Sequence, residues 1–324
     1  MEQLFVKGMT YGWDVKRGAY RTEAAVDSLR KLKATGSEWI ALSFYTYQET
    51  FSSTKITFDY DHTMTDRDIA FAVGKAKELG LKVCLKPVVN SRDGIWRARI
   101  GFPKEADDYW ALWFKSYTDF LLHYAELAEE LDCEMFCIGC EMVSTESRTA
   151  QWRQLIEAVR QVYSGPLVYN ANHGKEEGIH WFDKVDIIGT SAYFPVAEGE
   201  DASEETMIKH WQQVKDKMYH LHRQFNKPIL FMEIGCRSAK GCARMPWDFN
   251  HMDLPVNQEE QAAFYSSALT VFWHEKWFAG FFWWDWSTNL YNLDEAMHDK
   301  GFDIYGKKAE VVLRKWYQHG KFAK

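Results

Sequence analysis

The sequence predicts a (β/α)₈ TIM barrel that forms a single domain over residues 1–324. Short apolar runs alternate with longer amphipathic stretches along nearly the whole chain, which is the order that builds a parallel sheet. Eight such units fit into 324 residues, and no Pro-, Gly- or Ser-rich linker divides them. Most of the runs are apolar throughout, as expected of strands that are covered on both faces.

Each predicted strand is an apolar run that ends at a polar residue or a turn. The first run, VKGMTYG, leads into GMTYGWDVKRG, which contains neither of the glycine patterns that bind phosphate in open α/β sheets. This favours a closed barrel over an open, doubly wound sheet. The predicted strands are residues 6–12, 39–47, 82–90, 135–142, 166–173, 185–194, 228–235 and 278–286.

The predicted helices carry apolar residues at helical spacing between these strands. The first begins after Thr22, a residue type that caps helix N-termini, and Gly80 supplies the end of the second. The predicted helices cover residues 22–35, 65–79, about 108–131, about 149–163, about 203–224, about 257–275 and about 307–318.

The overall charge argues against polyanionic partners. The formal net charge is −7, and acidic and basic residues are interspersed without a block of Lys or Arg. We therefore expect neither nucleic acid nor a membrane surface as a partner. No stretch approaches 18 apolar residues and the first residues lack the pattern of a secretory leader, so we expect a cytoplasmic protein.

Aromatic residues make up 16% of the chain, with 15 Trp among them. They are equally compatible with a large core and with an aromatic-lined cleft.

The six cysteines are expected to be free thiols, as is usual in cytoplasmic proteins. Cys137 and Cys140 lie three apart in a predicted strand, so their side chains are expected on opposite faces rather than around a metal. The same alternation predicts that Gly139 and Cys137 face the barrel axis together with Glu141.

A barrel of this type has its active site at the carboxyl ends of the strands, so polar residues there are the candidate functional residues. These are Lys86, Asn90, Glu141, Asn170, Asn172, Tyr193, Glu233, and Trp284 or Trp286.

Glu233 ends a strongly apolar strand, and alternation predicts that Phe231 and Ile229 face the axis with it. A buried carboxylate is costly unless it is paired or hydrogen-bonded, and for one glutamate a salt bridge to Lys86 or an arginine is as good an explanation as catalysis. A second glutamate, Glu141, at the same end of the barrel favours catalysis.

Two facing carboxylates indicate glycoside hydrolysis, in which one donates a proton to the leaving oxygen and the other attacks the anomeric carbon or activates water. The two pKa values must differ. Tyr193 is expected to hydrogen-bond one carboxylate and lower its pKa, while aromatic walls desolvate the other.

Four strand ends resemble the large clan of retaining glycosidases built on (β/α)₈ barrels: IGCEM, VDIIGTSAYFP, ILFMEIG and FFWWDW. Within that clan, KGMTYG, LKPVVNSRDGIWR and GFDIYGKKAEVVLRKWY are most similar to glycoside hydrolase family 113, whose members are chiefly β-1,4-mannanases. The resemblance covers nearly the whole chain.

The resemblance implies a retaining glycoside hydrolase that cleaves β-1,4-linked mannan or manno-oligosaccharides by double displacement, without a metal or organic cofactor. Glu141 is then the acid/base and Glu233 the nucleophile, with carboxyl groups about 5 to 5.5 Å apart. Tyr193 orients Glu233, and Trp284 forms the floor under the cleaved sugar, with Trp286 as the alternative.

Further substrate contacts follow from the same resemblance. The residues expected to reach sugar hydroxyls are Lys86, Asn90, Asn170 and Asn172. For Trp13 and Trp96, in the loops after the first and third strands, stacking on neighbouring sugars and packing within the loop are equally expected.

Two positions depart from the pattern of related enzymes, and because of them the sequence does not determine which sugar is the substrate. Cys140 stands where many members of the clan have Asn before the acid/base, and Val88 stands where a His is expected. The alternatives are therefore a retaining glycosidase acting on xylo-, gluco- or other manno-oligosaccharides, including an exo-acting one. A carbohydrate-binding barrel without catalysis is the alternative of a different class, and it predicts the loss of one glutamate.

Overall fold

The computed structural model describes residues 4–13, 15–59, 63–103, 105–199 and 202–319. The first three and last five residues of the predicted domain lie outside this part. The described strands are β1 (Val6–Tyr11), β2 (Trp39–Gln48), β3 (Ile56–Thr57), β4 (Lys82–Ser91), β5 (Met135–Cys140), β6 (Leu167–Asn172), β7 (Ile187–Ser191), β8 (Ile229–Ile234) and β9 (Phe278–Trp286).

Helices connect most of these strands. They are α1 (Glu23–Ala34), α2 (Asp66–Glu78), α3 (Asp107–Glu130), α4 (Thr149–Val162), α5 (Glu204–Phe225), α6 (Gln258–Phe272) and α7 (Lys308–His319). Thr22 caps α1 by accepting a hydrogen bond from the backbone nitrogen of Ala25, and Gly80 follows α2 with a φ of 69°. None of the helices in the described ranges is long and apolar enough to cross a membrane.

The strands close into a barrel. Their order is β1-β9-β8-β7-β6-β5-β4-β2, and β2 returns to pair with β1, so the sheet has no free edge along the ring. Every pairing around the ring is parallel. This confirms the predicted (β/α)₈ barrel. The short β3, which the sequence patterns missed, pairs antiparallel with the end of β2.

Two apolar cores hold the barrel. One lies inside the ring and takes residues from all eight of its strands: Val6, Trp39, Ala41, Cys84, Met135, Cys137, Val168, Ile187, Leu230, Met232, Ala279 and Phe282. The larger core lies between strands and helices and contains stacked aromatic pairs such as Trp152 and Trp181, 4.6 Å apart. Six tryptophans are fully buried, so much of the aromatic excess fills this outer core.

The alternation predicted for β5 is wrong beyond Cys137. The β5–β6 pairing shifts register between Cys137 and Cys140, so Cys140 also points into the barrel mouth. Gly139 faces outwards, because a Cβ there would meet the side chains of Tyr117 and Tyr169 in the outer core. All six cysteines are free and buried, as the sequence predicts.

A second irregularity changes β8. Leu230 and Met232 lie inside the barrel, whereas Ile229 and Phe231 pack in the outer core, opposite to the prediction. The pairings of β8 shift register on both sides, and the shift turns Glu233 towards the mouth directly after the inward-facing Met232.

Gly280 permits the close approach of β9 to β1. Its φ is 111°, and a Cβ there would lie impossibly close to the backbone of Val6. We expect Gly280→Ala to lower the free energy of unfolding by about 3 kcal/mol, measured by urea denaturation. Gly178→Ala is the control, since no atom lies within 4 Å of its Cβ position, and its effect should stay within about 0.5 kcal/mol. Equal stabilities of the two variants would contradict this account.

Candidate active site

Glu233 lies at the centre of a buried polar cluster at the carboxyl end of the barrel. Lys86 on β4 donates a hydrogen bond to its Oε1, and Asn170 Nδ2 on β6 donates to the same oxygen at 3.1 Å. The thiol of Cys140 donates to Oε1 as well, at 3.3 Å, and the hydroxyl of Tyr193 donates to Oε2 at 3.1 Å. Donors from four different segments therefore hold the carboxylate in one orientation.

These donors also keep Glu233 ionised. Burial alone would raise its pKa, but the positive charges of Lys86 and Arg97 outweigh it, together with hydrogen bonds from Lys86 and Cys140. The pKa of Glu233 consequently lies below its ordinary value. A carboxylate that is buried, charged and fixed is suited to act as a nucleophile.

Glu141 follows β5 directly and has a different environment. Its φ is 54°, a left-handed conformation that costs energy for a residue with a Cβ, and its backbone nitrogen donates to Asn170 O at 2.8 Å. Arg97 binds its carboxylate, with 2.7 Å between Nη2 and Oε2.

The pKa of Glu141 lies above its ordinary value. Burial is the largest cause, the negative charge of Glu233 adds to it, and Arg97 opposes it. Two buried glutamates at one barrel mouth thus have pKa values displaced in opposite directions, which is the arrangement that lets one hold a proton while the other stays ionised.

Arg97 fixes the geometry around Glu141. Its Nε donates to the backbone oxygen of Cys140 at 2.8 Å, and its Nη1 donates to Asn90 Oδ1 at 3.1 Å. Asn90 thus helps to orient this arginine, and its predicted contact with the substrate stays a prediction.

The two candidate tryptophans of β9 have different surroundings. Trp286 is fully buried, and its indole nitrogen donates to Ser28 Oγ of α1 at 3.0 Å, so it faces away from the mouth. Trp284 is half-buried at the mouth, and the ammonium of Lys86 lies 6.0 Å from the centre of its ring. A register shift in the β1–β9 pairing separates the two residues, so simple alternation does not relate them.

Trp13 lies beside Trp284, with their ring centroids 5.0 Å apart and their planes at 42°. Its indole nitrogen donates to Asp285 Oδ2. Trp96 is 45% exposed, next to Arg97 in the sequence, and Asn172 ends β6 opposite Ser191. The structure thus brings Lys86, Asn170 and Tyr193 into hydrogen-bond contact with Glu233, and Asn90 into contact with Arg97. Trp13 follows β1 and Trp96 follows β4, and β2 lies between these two strands in the ring.

Sequence reasoning missed three residues of this site: Arg97, Asp285, and Cys140 as a contact of Glu233. Arg97 is in the segment after the third predicted strand, but nothing in that segment's pattern tells which of its basic residues turns inwards. Among the described residues, no three His, Cys, Asp or Glu side chains are grouped as metal ligands.

Comparison with known proteins is consistent with this geometry. Residues 9–307 match the model of glycoside hydrolase family 113. A family 113 β-mannanase from Alicyclobacillus acidocaldarius is 38% identical, with 98% of each chain covered and a TM-score of 0.90. A second family 113 β-1,4-mannanase is 36% identical, with 98% of this chain and 99% of that one covered, and a TM-score of 0.90.

More distant structures share only the fold. A β-glucuronidase from Faecalibacterium prausnitzii is 14% identical with a TM-score of 0.64, and the match covers 98% of this chain and 49% of that one. No curated protein sequence matches the chain.

Proposed function

The chain belongs to glycoside hydrolase family 113 and is a glycoside hydrolase, and from this premise we propose that it cleaves β-1,4-linked manno-oligosaccharides or mannan with retention of configuration. The observation that carries the mechanism is the pair of buried glutamates with oppositely displaced pKa values. The substrate is proposed from the family 113 β-mannanases that the chain resembles over nearly its full length.

In the first step, the carboxylate of Glu233 attacks the anomeric carbon while Glu141 gives its proton to the glycosidic oxygen. The carbon–oxygen bond to the leaving sugar breaks, and a glycosyl ester forms on Glu233. In the second step, water attacks the same carbon and gives a proton to Glu141. The ester bond breaks, Glu233 returns to its ionised form, and two inversions leave the configuration unchanged.

The surrounding residues have distinct roles in this mechanism. Tyr193 and Asn170 orient Glu233 through one hydrogen bond to each of its oxygens. Trp284 supplies the apolar surface under the sugar ring. Lys86 donates a hydrogen bond to Glu233 and stabilises its negative charge. Lys86, Asn172, Trp13 and Trp96 are proposed to contact the substrate, as predicted from the sequence.

The test is a screen of manno-, xylo-, gluco- and galacto-oligosaccharides with sizing of the products. We expect manno-oligosaccharides to be cleaved fastest, and the product sizes to distinguish internal cleavage from release of terminal units. Faster cleavage of xylo- or gluco-oligosaccharides would replace the proposed sugar while keeping the reaction. Failure to cleave any of them would favour a carbohydrate-binding barrel, although both glutamates are present.

Replacing Lys86 by methionine should move the acidic limb of the pH profile of kcat/KM upwards. Glu233 must be ionised to attack, and Lys86 lowers its pKa. Without that cation the carboxylate takes up a proton at higher pH, so activity is lost earlier as the pH falls. Lys115→Met is the control, because Lys115 is 73% exposed on α3, and its profile should match the wild type. An unmoved acidic limb in Lys86→Met would contradict the assignment of Glu233.

A further inference from the structure

Two cysteines lie in contact in the loop that follows β8. The Sγ atoms of Cys236 and Cys242 are 3.0 Å apart, and both side chains belong to the outer core. The sulfurs of a disulfide are about 2.05 Å apart, so these two need to approach by only about 1 Å to form one. The pair is therefore placed to form a bond with little movement of the loop.

Hydrogen bonds to one helix hold the two cysteines in this arrangement. Gln261 of α6 donates from Nε2 to the backbone oxygen of Cys236 at 2.9 Å. The carboxylate of Glu260, on the same turn of α6, accepts from the backbone nitrogen of Gly241, directly before Cys242, at 2.8 Å. Because the folded loop already brings the thiols together, a bond between them would mainly restrict the unfolded chain.

A small cavity of about 10 Å³ gives access to one of the two sulfurs. Cys242 lines this cavity and is 7% exposed, whereas Cys236 is fully buried. The volume suits one water-sized molecule. The partly exposed residues that line the cavity, and so place it close to the protein surface, are Lys240, Met245 and Leu254. A small oxidant can therefore reach the Sγ atom of Cys242 first.

The charges around Cys242 determine how readily it reacts. The thiolate is the reacting form, and burial raises the pKa of the Cys242 thiol while the guanidinium of Arg237 opposes that rise. Arg237 is buried and pairs with Asp248 at 2.7 Å, so its position is fixed. Oxidation is therefore expected to be slow at neutral pH and to become faster as the pH rises.

We propose that Cys236 and Cys242 form a reversible oxidation site, at which hydrogen peroxide produces a disulfide that stabilises the loop after β8. The thiolate of Cys242 attacks one oxygen of peroxide, the O–O bond breaks, and hydroxide leaves and takes up a proton to become water. The Sγ atom of Cys236 then attacks the sulfenic acid on Cys242, so that the S–S bond forms and the S–O bond breaks with loss of a second water.

The electrons and the return step are accounted for within this chemistry. The two thiols lose two electrons in total, and peroxide accepts them. A dithiol reductant restores both thiols by exchange. The site goes beyond the proposed sugar chemistry, because both sulfurs lie in the outer core rather than at the barrel mouth.

Peptide mapping of the wild type tests whether the bond forms. Reduced protein is treated with hydrogen peroxide, blocked with iodoacetamide and digested with trypsin. Trypsin cleaves after Arg237 and Lys240, so the two cysteines lie on separate peptides. We expect these peptides to be linked, the protein to stay monomeric on a non-reducing gel, and dithiothreitol to separate them. Free thiols at both positions, a sulfinic acid on Cys242 in place of the bond, or a link between two chains would overturn the proposal.

Thermal unfolding tests what the bond does. It would close a short loop between residues six apart in the sequence, and we expect peroxide to raise the Tm by about 3 °C, reversibly with dithiothreitol. Cys236→Ala and Cys242→Ala should each lose this shift. Cys133→Ala is the matched control, since Cys133 is also buried in the outer core, and it should keep the shift. No shift in the wild type, or an equal shift in Cys236→Ala, would overturn the proposal. The peptide map needs only the wild type, so a variant that fails to fold leaves that test intact.

Discussion

Replacing Glu233 by alanine is expected to lower kcat/KM on manno-oligosaccharides by a factor on the order of 10⁵, because the residue that forms the covalent intermediate is lost. The substitution also leaves the buried cation of Lys86 without its partner, which should cost about 3 kcal/mol of stability. Circular dichroism at the assay temperature separates loss of the nucleophile from loss of the fold.

Azide provides the positive control for this variant. A small anion can enter the space that the carboxylate leaves beside Lys86 and attack an activated aryl mannoside directly. One inversion instead of two should yield the α-mannosyl azide, identified by nuclear magnetic resonance. Wild-type rates in a folded Glu233→Ala variant would exclude Glu233 as the nucleophile.

The second large effect is expected from Glu141→Ala, and it should depend on the leaving group. General acid catalysis contributes about 10²- to 10⁴-fold, and a sugar leaving group needs the proton far more than a dinitrophenolate does. We expect a loss of about 10³-fold in kcat/KM on manno-oligosaccharides and a much smaller loss on the dinitrophenyl β-mannoside.

Azide distinguishes the two variants by the configuration of the product. In Glu141→Ala the ester on Glu233 still forms, so azide attacks it in the second step and gives the β-mannosyl azide. Equal losses on both leaving groups, or an α-configured azide, would contradict the role of Glu141 as acid/base.

The opposite displacement of the two pKa values comes from charges that the strands bring from far along the chain. Lys86 lies on β4, next to β5 and Glu141 in the ring, yet it binds Glu233, which lies on β8, four strands away across the mouth. Arg97 reaches Glu141 from the loop after β4. The salt bridge to Lys86 and the catalytic role, weighed as alternatives from the sequence, are thus compatible: the ion pair keeps the proposed nucleophile ionised.

The aromatic residues near the barrel mouth fall into two groups, those that pack in the outer core and those that remain partly exposed. Trp286 belongs to the outer core through Ser28, while Trp13 and Trp284 line a cavity beside the proposed reaction centre. From composition alone, the high aromatic content is explained equally well by a large core and by an aromatic-lined cleft. The structure contains both, because fully buried rings fill the space under the helices and half-buried rings remain at the strand ends.

The sequence by itself determined the barrel, its family and the positions of the two glutamates. These follow from the alternation of apolar runs with amphipathic stretches and from motifs at strand ends, which are local properties of the chain. Tertiary structure alone decided which way the side chains at those ends point. Register shifts in β5 and β8 turn Gly139 outwards and bring Cys140 and Glu233 to the mouth. Such a shift depends on how neighbouring strands pair, so it cannot be read from the alternation of side chains along a single strand.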